Sequence, residues 1–169
     1  MDPEPLKSLP EKWSKAVAIV AHPDDMEFGA AAAVARWTGQ GKEVVYVMVT
    51  SGEAGIDGMH PDECRRVREA EEVESARIVG VETVEFLGLP DGIIEYGVPL
   101  RRTLAEVIRR HRPEIVLTGN FRRLSNRKAA SVSTGEHRAL LYSYVGAREK
   151  AANSLLISNT YTLVEPFLP

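Results

Sequence analysis

Residues 16–29 read Ala-Val-Ala-Ile-Val-Ala-His-Pro-Asp-Asp-Met-Glu-Phe-Gly. The unbroken apolar run from Ala16 to Ala21 is the mark of a strand covered on both faces, as in a parallel sheet. It stops at a histidine, a proline and two adjacent carboxylates, and an alanine-rich stretch then predicts a helix over about 25–38, closed by Gly39 and Gly41. Charge placed at the end of a buried strand sets the question for the rest of the chain.

The same alternation recurs downstream. Glu43 to Val49 is a second buried strand, followed by a glycine-bearing loop from Thr50 to His60. A charged helix is predicted from about Pro61 to Val79, with proline near its first turn. Thr83 to Leu87 reads as a third strand, Pro99 to His111 as an amphipathic helix and Glu114 to Thr118 as a fourth strand. Residues 119–133 are polar and irregular, and a helix near 136–152 and a short last strand near 154–158 complete the pattern. Strands alternating with helices predict an α/β fold with a mostly parallel sheet, a Rossmann-like three-layer sandwich in one domain. The expected boundaries are an extended lead-in over 1–14 and the domain over 15–169. Such sheets bind ligands beyond the carboxyl ends of their strands, where strand order reverses. His22, Gly52, Glu53, Asp91 and Asn120 all follow strands and are expected on that edge.

Composition narrows the classes of function. With 169 residues and 44% hydrophobic content the chain can bury a core. A net charge of −3 gives no electrostatic case for nucleic acid. One cysteine, Cys64, excludes an internal disulfide or a cysteine-rich zinc cluster. The polar opening residues predict no secretory leader, and no apolar run approaches the roughly 20 residues of a membrane span. A cytoplasmic setting is the expectation. An exposed last strand would allow homo-oligomers by edge pairing.

Two readings of His22-Pro23-Asp24-Asp25 stand side by side. In the first, Asp24 is a helix N-cap and Glu27 its capping-box partner. In the second, a divalent metal relieves the repulsion of the paired aspartates, with His22 and Asp25 as ligands. A dinucleotide is a poor fit, because this turn would repel a pyrophosphate. A third ligand would come from another histidine. His60 reads as a helix start and His111 as a helix C-terminus. His137, after strand four, can meet His22 if strands one and four are neighbours; the alternative is a plain surface histidine.

At this point the chain resembles a known family. The strand with Ala21-His22-Pro23-Asp24-Asp25-Met26-Glu27-Phe28-Gly29 is similar to the signature of the LmbE-like, or PIG-L, zinc-dependent de-N-acetylases of N-acetylglucosamine conjugates. The likeness continues through Thr50-Ser51-Gly52-Glu53-Ala54-Gly55, Arg68-Glu69-Ala70-Glu71 with Gly80, and Phe86-Leu87-Gly88-Leu89-Pro90-Asp91-Gly92. It covers about 16–120 and diverges after about 121. The resemblance implies zinc, or another divalent metal, held by His22, Asp25 and His137, with Asp24 as general base. It implies that Arg68 and Asp91 hold sugar hydroxyls of a small amino-sugar substrate. From the residues alone, Arg68 reads as a surface ion pair with Glu71 or Glu72, and Asp91 as a Pro-Asp-Gly turn.

The segment Thr134-Gly135-Glu136-His137 departs from the family's usual His-Pro-Asp-His or Thr-Pro-Asp-His, with Thr134 where many members carry a histidine. The expectation is a C-terminally shortened member. Two alternatives accompany the deacetylase reading: an amidase acting on a related amino-sugar conjugate, and a catalytically impaired metal-binding relative.

Overall fold

The computed structural model describes residues 11–119, 155–158 and 162–164. Ten elements follow in chain order: β1 (Lys15–Val20), α1 (Asp25–Gly29), α2 (Ala31–Gly39), β2 (Glu43–Met48), α3 (Pro61–Ile78), β3 (Thr83–Phe86), α4 (Val98–His111), β4 (Ile115–Thr118), β5 (Leu155–Ser158) and β6 (Thr162–Val164). The strands form one sheet in the order β3-β2-β1-β4-β5-β6. All neighbours run parallel except β5 and β6, which are antiparallel. The expected three-layer α/β architecture is what the chain adopts.

Every strand residue from Ala16 to Val20 is buried, and alternate side chains face opposite layers. Val17 and Ile19 pack with Val45, Val47 and Val116 against Leu100, Leu104, Val107 and Ile108 of α4. Ala16, Ala18 and Val20 pack with Tyr46, Met48 and Leu117 against Met26, Val34, Trp37 and Ala76 of the other helical layer. This two-sided burial explains why the strand sequences are continuously apolar. Trp13 and Trp37 close the bottom of that second layer edge to face, with ring centroids 5.2 Å apart.

The register fixes where the loops emerge. Val20 pairs with Met48, Met48 with Phe86, and Ala18 with Leu117, so the segments after β1, β2, β3 and β4 all leave at one edge. The chain winds from β1 outward to β3 and then returns to place β4 on the other side of β1. The reversal point therefore lies beside His22, between β1 and β4.

Three local expectations need correction. The helix expected over 25–38 is broken at Ala30, whose φ of −129° is not helical, into α1 and α2. Gly29, a weak helix former, sits just before the break. The strand near 154–158 is not the last one: β6 lies outside it, so β5 is not the sheet edge. Three residues, Thr162 to Val164, are too short to carry a period that sequence reading could detect. Asn120 and the helix expected near 136–152 lie outside the described residues. Among the described residues, no helix is long and apolar enough to cross a membrane.

Candidate active site

The turn after β1 is built around an unusual backbone. Asp24 has φ 93°, in the left-handed region, which costs a non-glycine residue strain unless its surroundings hold it there. Several groups do so. The Arg68 guanidinium donates to the Pro23 carbonyl at 2.5 Å and to Asp24 Oδ2 at 2.8 Å through the same nitrogen. Glu72 Oε2 accepts the Asp24 amide N–H at 3.2 Å. Asp25 Oδ2 accepts the amides of Ala21 and His22, both at 3.0 Å.

These bonds decide between the two readings of the motif as far as the cap is concerned. Asp24 occupies the N-cap position of α1, yet its side chain makes no capping bond. Its carboxylate goes to Arg68, and Glu27 turns away to the Ser75 hydroxyl. The capping-box expectation is therefore overturned: the carboxylates are spent on tertiary contacts.

Arg68 is not the surface ion pair with Glu71 or Glu72 that a helix pattern suggests. Its side chain is 14% exposed and joins two loops, because Nη1 also donates to the Gly52 carbonyl at 3.3 Å. The glycines of the loop after β2 make room for it. Gly52 has φ 64°, and a Cβ there would come within 2.6 Å of Arg68 Nη1; a Cβ on Gly55 would collide with the same nitrogen. Beside them, buried Thr50 donates to the Ala21 carbonyl at 2.9 Å and accepts the Gly52 amide at 3.1 Å. The loops after β1 and β2 are thus stitched together.

Asp91 reaches the same place from the loop after β3. Its Oδ1 lies 3.1 Å from His22 Nε2, its Oδ2 accepts the Ala54 amide at 3.0 Å, and its own amide donates to Glu53 Oε1 at 3.1 Å. It does form a turn, with Gly92 at φ 87°, but its side chain is inward and 7% exposed. The turn reading of Asp91 therefore holds, and its side chain does more than close the turn. On the other side of the imidazole, His22 Nδ1 lies 3.7 Å from Asp25 Oδ2.

The electrostatics of the edge are one-sided. Asp24, Asp25, Glu27 and Glu72 act on one another through space. Burial pushes the Asp24 carboxyl above its usual range; Arg68 opposes that push, and Asp25 adds to it. Glu72, 2% exposed, is pushed up to about 7 by burial and by Glu27. An excess of carboxylates over cations is what a bound divalent metal would relieve. The neighbouring imidazole of His22 and carboxylate of Asp25 are donors of the type zinc takes, so this pair fits as two of its ligands. Among the described residues, no group of three His, Cys, Asp or Glu side chains is arranged to hold a metal. His137, the expected third ligand, lies outside the described residues.

The remaining histidines have structural work. His60 caps α3, its Nδ1 accepting the Asp62 amide at 3.3 Å. His111 ends α4 with Nε2 2.8 Å from Glu85 Oε1. Asp24 and Arg68 line a cavity of about 380 Å³ that also reaches Glu27, Ile56 and Glu72. Glu72 is the participant that sequence reading missed. Its signal was the four-residue stripe Cys64, Arg68, Glu72 and Ala76, which places two charged residues on the inward face of α3.

The chain is similar to known deacetylases. A diacetylchitobiose deacetylase of Thermococcus kodakarensis is 36% identical over 107 residues, covering 61% of this chain and 39% of that enzyme. A 1D-myo-inositol 2-acetamido-2-deoxy-alpha-D-glucopyranoside deacetylase of Kineococcus radiotolerans is 32% identical over 100 residues, covering 54% of this chain and 28% of that protein. The chain thus matches well under half the length of either relative. The N,N'-diacetylchitobiose deacetylase structure from Pyrococcus horikoshii superposes with a TM-score of 0.72 over 86% of this chain and 60% of that one, at 22% identity, and so shares the fold. Residues 17–139 match the model of the family described as PIG-L, GlcNAc-PI de-N-acetylase, and the chain belongs to that family.

Proposed function

We propose that the chain is a metal-dependent hydrolase that removes the acetyl group from an N-acetylglucosamine-bearing small molecule. One observation supports this above the rest: the loops after β1 and β3 and the helix α3 bring His22, Asp24, Asp25, Asp91 and Arg68 to one sheet edge, joined through direct contacts and through the loop after β2. The named relatives that act on diacetylchitobiose and on an acetamido-glucopyranoside supply the substrate class.

In this reading His22, Asp25 and His137 hold the metal. A divalent metal so held supplies a water of lowered pKa and polarises the acyl carbonyl. Asp24 takes the proton of the attacking water at a carboxylate oxygen. Its side chain is 55% exposed, open enough to reach a substrate, and its raised pKa brings it nearer the operating pH of a general base. Asp91, inward and joined to the Ala54 amide, steadies the His22 ring, and in this reading its carboxylate also accepts from a sugar hydroxyl of the bound substrate. Arg68 borders the cavity beside Asp24, where a donor could meet substrate, while its hydrogen bonds to Pro23 and Asp24 hold the turn. The products are acetate and a free amino sugar.

The test is metal analysis of the purified chain coupled to a free-amine assay on N-acetylglucosamine conjugates, N,N'-diacetylchitobiose among them. About one metal per chain and acetate released in step with amine would bear the proposal out. Metal-free protein that releases acetate at an unchanged rate would refute it.

A further inference from the structure

We propose that Glu72 is a positioning residue for the general base: through the Asp24 amide it holds Asp24 in the left-handed turn that aims its carboxylate at the catalytic edge. The identity of Asp24 as base rests on the deacetylase reading above; the holding of the turn does not.

The geometry is specific. Glu72 lies on the inward stripe of α3, one helical turn beyond Arg68, and is 2% exposed. Its Oε2 accepts the Asp24 N–H at 3.2 Å across 48 residues of sequence. Arg68, from the preceding turn, grips the Pro23 carbonyl and the Asp24 carboxylate. The two side chains therefore hold both polar ends of the Pro23–Asp24 peptide, and Arg68 the Asp24 carboxylate as well, at the residue whose φ of 93° has to be maintained against its intrinsic preference. A buried carboxylic acid is a costly way to supply one acceptor, since apolar side chains fill such positions more cheaply. Its Oε1 has no partner among the described residues, so the group contributes a single bond, and that bond ends on the base. Acceptance needs only a carbonyl oxygen, so a neutral side chain of the same shape suffices.

Two variants and one exchange measurement test this. Amide hydrogen exchange of the metal-free chain reads the Asp24 N–H directly and is independent of any reaction. In wild type this amide is protected. In E72L, which keeps the volume and removes the acceptor, it exchanges at least tenfold faster while β1 and β2 amides are unchanged. E72Q restores the protection. In turnover of N,N'-diacetylchitobiose, E72L lowers kcat by about 100-fold with KM within a few-fold, the scale expected for a misplaced catalytic group, and E72Q recovers most of it. An Asp24 amide unprotected in wild type, or equally protected in E72L, overturns the proposal. So does an E72L loss confined to KM. If E72L does not fold, E72Q decides: a natively folded E72Q with an unprotected Asp24 amide overturns the proposal, and a protected one supports it. A wild-type chain that releases no acetate removes the deacetylase reading and leaves the exchange result to judge the turn.

Discussion

His22 stands between two carboxylates, with Nε2 3.1 Å from Asp91 Oδ1 and Nδ1 3.7 Å from Asp25 Oδ2. Because the carboxylates approach different ring nitrogens, a proton on Nε2 donated to Asp91 leaves Nδ1 as the lone-pair nitrogen on the Asp25 side. That division suits a ligand imidazole whose tautomer is set by an outer carboxylate.

His22→Ala should therefore empty the metal site. Metal analysis after gel filtration is expected to fall from about one metal per chain to near zero, with acetate release lost in parallel. Folding should survive, because His22 lies beyond the end of β1 and outside the hydrophobic clusters that pack the sheet. Metal retained by a folded variant would remove His22 from the ligand set.

The proposed downstream ligand is tested in the same way. His137→Ala is expected to lower metal affinity as strongly as His22→Ala, measured by competition against a chromophoric chelator. An affinity equal to wild type would show that the third ligand lies elsewhere.

Asp24→Asn separates chemistry from metal binding. Asparagine keeps an oxygen for Arg68, so the turn should persist and the metal should stay bound. Loss of a positioned base is expected to lower kcat by about 10²–10⁴-fold. A variant with near wild-type kcat would assign the proton transfer to another group.

Gly55→Ala probes the cradle of Arg68. Its backbone is not in the left-handed region, so the added methyl strains no φ, yet it would collide with the guanidinium. The expected result is a fold of near wild-type stability with Arg68 displaced and kcat reduced at least tenfold. Gly52→Ala adds left-handed strain and should also cost about 1 kcal/mol of stability. Equal activity in Gly55→Ala would show that Arg68 does not need its observed seat.

Glu72 sets a pH dependence of stability. Its folded pKa of about 7 lies above the ordinary 4.5, so the native state binds the proton more tightly than the unfolded chain. That contribution is fully present below about 4.5 and is lost as pH rises through about 7, by up to about 3 kcal/mol. Denaturant melts of the metal-free chain should thus show E72Q gaining on wild type between pH 5 and 8. Parallel curves would place Glu72 in a more polar setting.

Most of the frame was legible in sequence because two-sided burial writes itself as unbroken apolar runs. Ala16–Val20 and Val44–Met48 could hardly be anything else, and the β1–β4 adjacency followed from the commonest winding. The site was legible in its members but not its contacts. His22 and Asp91 were expected at this edge by their position after strands, and Asp25 by the pairing of carboxylates in the motif. That Asp24 would forgo its cap for Arg68 was not, since a local side-chain cap and a tertiary ion pair compete for the same carboxylate and only the packing of α3 decides. Glu72 was hidden for a related reason: in a helix rich in Glu and Arg, charge suggests solvent, and only the four-residue stripe through Cys64 and Ala76 says otherwise.

The left-handed turn at Asp24 also carries a consequence for the order in which the chain takes shape. Arg68 and Glu72 reach back across 45 and 48 residues to make it, so no local segment can form it alone. Until α3 has docked on the young sheet, only the local bonds of Asp25 to the Ala21 and His22 amides oppose relaxation of residues 22–25 into an ordinary helix start. Competence of this edge is therefore a late event in folding, gained cooperatively with long-range contacts, and a peptide spanning only the motif should show none of it.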